Sequence, residues 1–94
     1  MKLRIHQNSI RIRLSGDDSK ALKESGFVRE ELQFDLQKTY CYQLRLAGEN
    51  KVILEEGSMI VSIDRQQFLN QNHVSITWVS SEGLKVLVES DLYG

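Results

Sequence analysis

The chain has 94 residues, with 12 lysines and arginines against 13 aspartates and glutamates, one cysteine and no proline. That suits one small domain with one modest core, and it leaves no room for separate catalytic and substrate domains. A net charge of −1 argues against a surface that is basic all over, a lone Cys41 excludes an intramolecular disulfide, and no apolar run approaches the ~20 residues of a membrane span.

The opening KLRIHQNSIRIRLS, Lys2 to Ser15, alternates polar and apolar residues on both sides of Gln7-Asn8. This predicts a two-stranded hairpin. Leu3, Ile5, Ile10, Ile12 and Leu14 share one face. Lys2, Arg4, His6, Arg11 and Arg13 share the other, with Arg4 opposite Arg11 and Lys2 opposite Arg13. Like charges directly across a ladder are destabilising, so something must separate them. Residues 1–14 hold four cations and no acid, while the other eight cations share the chain with all 13 acids. The first nine residues lack a continuous apolar stretch, so no secretory leader is expected. With the free thiol, this predicts a cytoplasmic location.

Ser15, followed by Asp17 and Asp18, marks a helix start, and Gly26 marks its stop. Ala21 and Leu22 would face inward. FVREELQF then reads as a strand with Val28, Glu30, Leu32 and Phe34 on one face, and TYCYQLRL as another with Tyr40, Tyr42, Leu44 and Leu46. The connection AGENK, residues 47–51, is too short for a flexible linker. KVILEEGSMIVSID, Lys51 to Asp64, predicts a second hairpin turning at Glu56-Gly57. Ile53 and Ile60 stand where the first hairpin has Arg4 and Arg11, so its middle is apolar on both faces. Such a pair is either covered by its own chain or forms a subunit interface. Asp64 caps a second short helix that turns Phe68 and Leu69 inward and stops at Asn72. HVSITWV, with Val74, Ile76 and Trp78 on one face, and LKVLVES, with Leu84, Val86 and Val88, complete the chain.

Slid by 49 residues, the first hairpin falls on the second without a gap, and its apolar positions agree at every alternate site. The pattern predicts a single domain over residues 1–94, made of a duplicated strand–strand–helix–strand–strand unit at 2–46 and 51–90. The expected class is α+β, with antiparallel sheets or a half-barrel and two short helices.

The opening Lys-x-Arg-Ile-x-x-Asn-Ser-Ile-Arg-x-Arg-Leu, with GFVREELQF after the helix and LKVLVESDL at the end, resembles a family of small bacterial proteins of unknown function. The resemblance spans nearly the whole chain. It implies a free-standing cytoplasmic domain and brings no activity, cofactor or catalytic residue with it.

Catalysis has little to stand on. There is no Gly-rich phosphate loop, metal-ligand spacing or nucleophile elbow. His6 and His73 are far apart, and a nucleophilic Cys41 would need a nearby base that no spacing supplies. Ser9 and Ser58 follow turns, where hydroxyls bond to backbone. Trp78 shares a face with Val74 and Ile76, a core position. No metal or cofactor is expected. The basic face of Lys2, Arg4, His6, Arg11 and Arg13 has three readings. It is neutralised by Glu30, Glu31 and Asp35 of the following strand, it meets an acidic protein partner, or it grips nucleic-acid phosphates with Tyr40 or Tyr42 as a stacking ring. The favoured function is a non-enzymatic interaction module that uses a sheet face for an acidic partner or for self-association as a homodimer through Ile53 and Ile60. Weak nucleic-acid or phosphate binding is the alternative, and a cysteine enzyme comes third.

Overall fold

A computed structural model describes residues 1–90 of the chain, so Asp91 and Leu92 of the closing motif lie outside the described residues. The order is β1 (Lys2–His6), β2 (Ser9–Leu14), α1 (Gly16–Ser25), β3 (Phe27–Gln33), β4 (Thr39–Ala47), β5 (Lys51–Glu55), β6 (Ser58–Asp64), α2 (Arg65–Leu69), β7 (Ser75–Val79) and β8 (Lys85–Ser90). The protein is an α+β domain of two open four-stranded sheets and two short helices.

Sheet A runs β1-β2-β8-β7 and sheet B runs β3-β4-β6-β5. All four hairpins are antiparallel, but the central pair of each sheet, β2–β8 and β4–β6, is parallel. The antiparallel sheets expected from the sequence are thus present, each with one parallel pair at its centre. Alternation specifies which face of a strand is buried and says nothing about the direction of its neighbour. Neither sheet closes on itself, so the half-barrel is replaced by two open layers.

Each sheet takes one hairpin from each half of the chain. The first hairpin pairs with the last, and the two middle hairpins pair with each other. The registers correspond across a shift of 49 residues in the leading hairpins: Ser9 faces Lys85, and Ser58 faces Cys41. Isolated backbone bonds correspond too. Lys85 N–H donates to the Asn8 carbonyl, as Cys41 N–H does to that of Gly57. Ser90 N–H donates to Val74 O, as Leu46 N–H does to Gly26 O. The turns differ. Gln7 has φ 51° in one hairpin, whereas Gly57 takes φ 74° in the other.

One core fills the space between the layers. Sheet A contributes Ile10, Ile12, Leu14, Ile76, Val86 and Val88, and sheet B contributes Leu44, Leu46, Met59, Val61 and Ile63. The helices carry the chain from one sheet to the other and add Leu22 and Phe68, both fully buried. Helix α1 begins at a complete capping box. Asp18 N–H donates to the Ser15 hydroxyl and Ser15 N–H donates to the Asp18 carboxylate, satisfying two of the donors a helix start leaves open. It ends on Gly26 at φ 85°, with Gly26 N–H donating to Leu22 O. Asp64 caps α2, but the helix ends at Leu69 with Asn70, not Asn72, at its C-cap. One and a half turns bury only one side chain well, so Phe68 enters the core while Leu69, expected inside, stays 48% exposed. Phe34 falls beyond β3 and is 70% exposed.

Phe68→Ala should therefore cost about 3–5 kcal/mol, whereas Leu69→Ala should cost less than about 1 kcal/mol; urea unfolding of the two variants distinguishes them. The left-handed conformation of Gln7 disfavours its long side chain, and Asn tolerates it better. Gln7→Asn should raise stability by about 0.5–1 kcal/mol in the same measurement.

Candidate functional site

Alternation in sheet A turns one side chain of each pair inward and the next outward. The registers align the outward ones in rows: Lys2, Arg13, Glu89 and Ser75, then Arg4, Arg11, Leu87 and Thr77, then His6, Ser9, Lys85 and Val79. Five lysines and arginines thus share one face with a single carboxylate. Lys2, Arg4, Arg11 and Arg13, with Leu3, line a surface depression of about 250 Å³.

Glu89 separates the arginines. Arg11 Nε donates to Glu89 Oε1 at 2.7 Å, and Arg13 Nη2 lies 3.4 Å from the same oxygen. The neutralising strand is therefore β8, next to β2 in the sheet, and not the sequence-adjacent β3 with Glu30 and Glu31, nor Asp35 in the turn after it. The parallel pairing brings Glu89 beside Arg13. Nothing in the local sequence signals a partner 76 residues away. Among the described residues, Lys2 and Arg4 on the edge strand form no ion pair with a carboxylate.

Glu30 serves another purpose. It accepts from the Met1 ammonium at 2.6 Å through Oε1 and from the Tyr42 hydroxyl at 2.7 Å through Oε2. Asp18 Oδ2 is 2.9 Å from the same ammonium. This cluster ties β1, α1, β3 and β4 together at one side of the molecule. Partial burial works against both carboxylates, yet the hydrogen bonds and the ammonium charge hold Asp18 and Glu30 below their ordinary values. Burial likewise works against the Met1 ammonium, and its two carboxylate partners outweigh it and raise the amine. The bond to Glu30, followed by burial, pushes Tyr42 up to about 12.

The outward face of sheet B is mixed. Ile53 pairs with Ile60 at its centre, and both are half-buried. Around them lie Arg29, Glu31, Cys41, Gln43 and Glu55. Cys41 has an arginine partner: Arg29 Nε donates to its sulfur at 2.8 Å, and Arg29 also pairs with Glu31 at 2.9 Å. His6 lies on sheet A, in the other layer from Cys41. His73 lies exposed between α2 and β7. Tyr40 and Tyr42 pack against the core from sheet B, so neither stands on the basic face as a stacking ring. Trp78 pairs with Val86 and packs partly against the core. Its register counterpart in sheet B is Glu30, which pairs with Tyr42. Among the described residues no group of three or more His, Cys, Asp or Glu side chains converges as a metal site, and no helix is long and apolar enough to cross a membrane.

The fold defines a two-sheet α+β domain with one strongly basic face. The chain belongs to a family of unknown function (DUF7009), whose model matches residues 1–93. No curated protein and no solved structure matches it.

The cluster sets the response to pH. The lowered Asp18 and Glu30 contribute stability that is full above their ordinary values of 3.8 and 4.5 and is lost as pH falls through their folded values. The raised amine and Tyr42 contribute stability that is full below 8.0 and 10.0 respectively and is lost as pH climbs through their folded values. In Glu30→Gln the Tyr42 hydroxyl should ionise closer to pH 10, and because the amine and Tyr42 both move back toward their ordinary values, the variant should start less stable at neutral pH and lose less stability on going alkaline. Tyrosinate absorbance against pH, with thermal melts, checks both.

Proposed function

We propose that this protein is a non-enzymatic binding module that takes an acidic protein segment on the outward face of sheet A. One observation carries the reading: Lys2, Arg4, Arg11 and Arg13 line one depression, and the one carboxylate on that face, Glu89, is bound by Arg11 and Arg13 alone. A protein of net charge −1 that gathers its cations on a rigid sheet offers a directional field, which steers an anionic partner to one side. Arginine forks suit carboxylates.

Phosphate-bearing nucleic acid would use the same cations. Two features favour a protein segment. The aligned outward rows contain no Tyr, Trp or Phe, so the platform on which single-stranded bases stack is missing. Arg11 and Arg13 are already committed to Glu89, which leaves a footprint short for a phosphate backbone. The duplication read from the sequence fits this role. Corresponding registers in the two sheets support descent from one repeated hairpin–helix–hairpin unit, in which one copy of the leading hairpin carries Arg4 and Arg11 and the other carries Ile53 and Ile60. A reducing cytoplasm suits the single thiol.

Fluorescence anisotropy with a labelled glutamate-rich peptide, at low and at physiological salt, tests the proposal. Binding that weakens with salt and is lost in the Lys2→Glu, Arg4→Glu double variant is expected. Glu89→Gln, which frees both arginines, should tighten it several-fold. Absence of binding at low salt overturns the reading, and so does preferential binding of a random-sequence oligonucleotide.

A further inference from the structure

The geometry points to a second site on the opposite side of the molecule: the edge of β5 pairs with β5 of a second copy, antiparallel about a two-fold axis at Ile53. Among the described residues the sheets have four edge strands, β1, β3, β5 and β7. An edge is a template for further pairing unless it is blunted, and inward or central charges are the usual means. β1 carries Lys2 and Arg4, and β3 carries Arg29, Glu30 and Glu31. These two edges meet on one side, where Met1 bonds Glu30. β5 and β7 meet on the other, around a cleft of about 860 Å³ lined by Val52, Leu54, Met59, Trp78, Val79 and Leu84 among others. Leu54 is 74% exposed there. The interior of β5 and the whole of β7 carry no charge.

The sequence of β5, Lys-Val-Ile-Leu-Glu, is complementary to its own reverse. Antiparallel pairing centred on Ile53 sets Lys51 against Glu55 of the second copy, twice by symmetry. It sets Val52 against Leu54 of the second copy, also twice, and Ile53 against its own equivalent. Opposite charges and apolar pairs directly across a ladder are the stabilising combinations. In the single chain, Lys51 has only Glu49, 3.4 Å away and exposed. The same operation on β1 sets Arg4 against Arg4 and Lys2 against His6, so the corresponding edge of sheet A repels its own copy. Pairing at β5 would extend sheet B to eight strands. It would also bring the two clefts together, so that Leu54 of each copy is covered. A two-fold dimer of this kind is the commonest closed assembly.

The surface is separate from the basic face of sheet A, so either reading can fail while the other stands. Sedimentation equilibrium of the full chain should give twice the 10.8 kDa chain mass. Lys51→Glu and Glu55→Lys, each alone, place like charges across the axis and should weaken the dimer at least ~10-fold. The double variant Lys51→Glu, Glu55→Lys should restore it, and an equimolar mixture of the two single variants should form a mixed dimer. The rescue and the mixing separate pairing from any effect on folding. A chain that stays monomeric at high concentration overturns the inference, as does a dimer that neither single variant weakens or that the double variant fails to restore.

Discussion

The parallel pairing of β2 with β8 and of β4 with β6 is the constraint from which the rest of the structure follows. A hairpin alone is marginal in water. Each hairpin here gains a partner from the other half of the chain, so neither half has a complete sheet of its own. The helices then act as crossings between layers, and Leu22 and Phe68 come to lie in a core that both sheets share. Opening the β2–β8 pair would expose Ile12 and Val88, and opening β4–β6 would expose Leu44 and Val61; all four belong to one core, which favours cooperative unfolding.

The same pairing arranges the charges. Arg11 and Arg13 stand side by side because β2 must turn Ile10, Ile12 and Leu14 inward. β8 supplies Glu89 opposite because Val86 and Val88 occupy its inward positions. The anion is thus a consequence of register, and one carboxylate serves two arginines. On the opposite layer Arg45 Nε donates to the buried Ser62 hydroxyl in the corresponding row. A guanidinium-to-hydroxyl hydrogen bond there takes the place of the ion pair, and that outward face carries a mixed set of charges instead of a basic field.

The two sides of the sandwich are finished differently. On the β1–β3 side the Met1 ammonium, Asp18, Glu30 and Tyr42 form a connected polar cluster. On the β5–β7 side Asn50 occupies the position corresponding to Met1. It bonds the Asp64 N–H and the Gln67 side chain, while Trp78 stands in place of Glu30. One side is sealed by charge and the other is left apolar and open. The contrast leaves strand edges without interior charge on the β5–β7 side alone.

Much of this was legible in the sequence. Period-two alternation located all eight strands and the buried faces of the central ones, β2, β4, β6 and β8, because burial acts on side chains and alternation is local; on the edge strands Ile5 and Leu32 share the apolar phase yet stay exposed. Ser15, Asp64 and Gly26 marked helix ends, because capping is satisfied within a few residues. The basic face and its like-charged rows were also legible, since a short turn fixes a hairpin's register. Strand direction at the centre of each sheet, Glu89 as the partner of Arg11 and Arg13, and the binding of Glu30 to Met1 and Tyr42 were not. They depend on contacts between residues far apart in the chain, and only the tertiary structure decides which exposed edges and charges end up as neighbours.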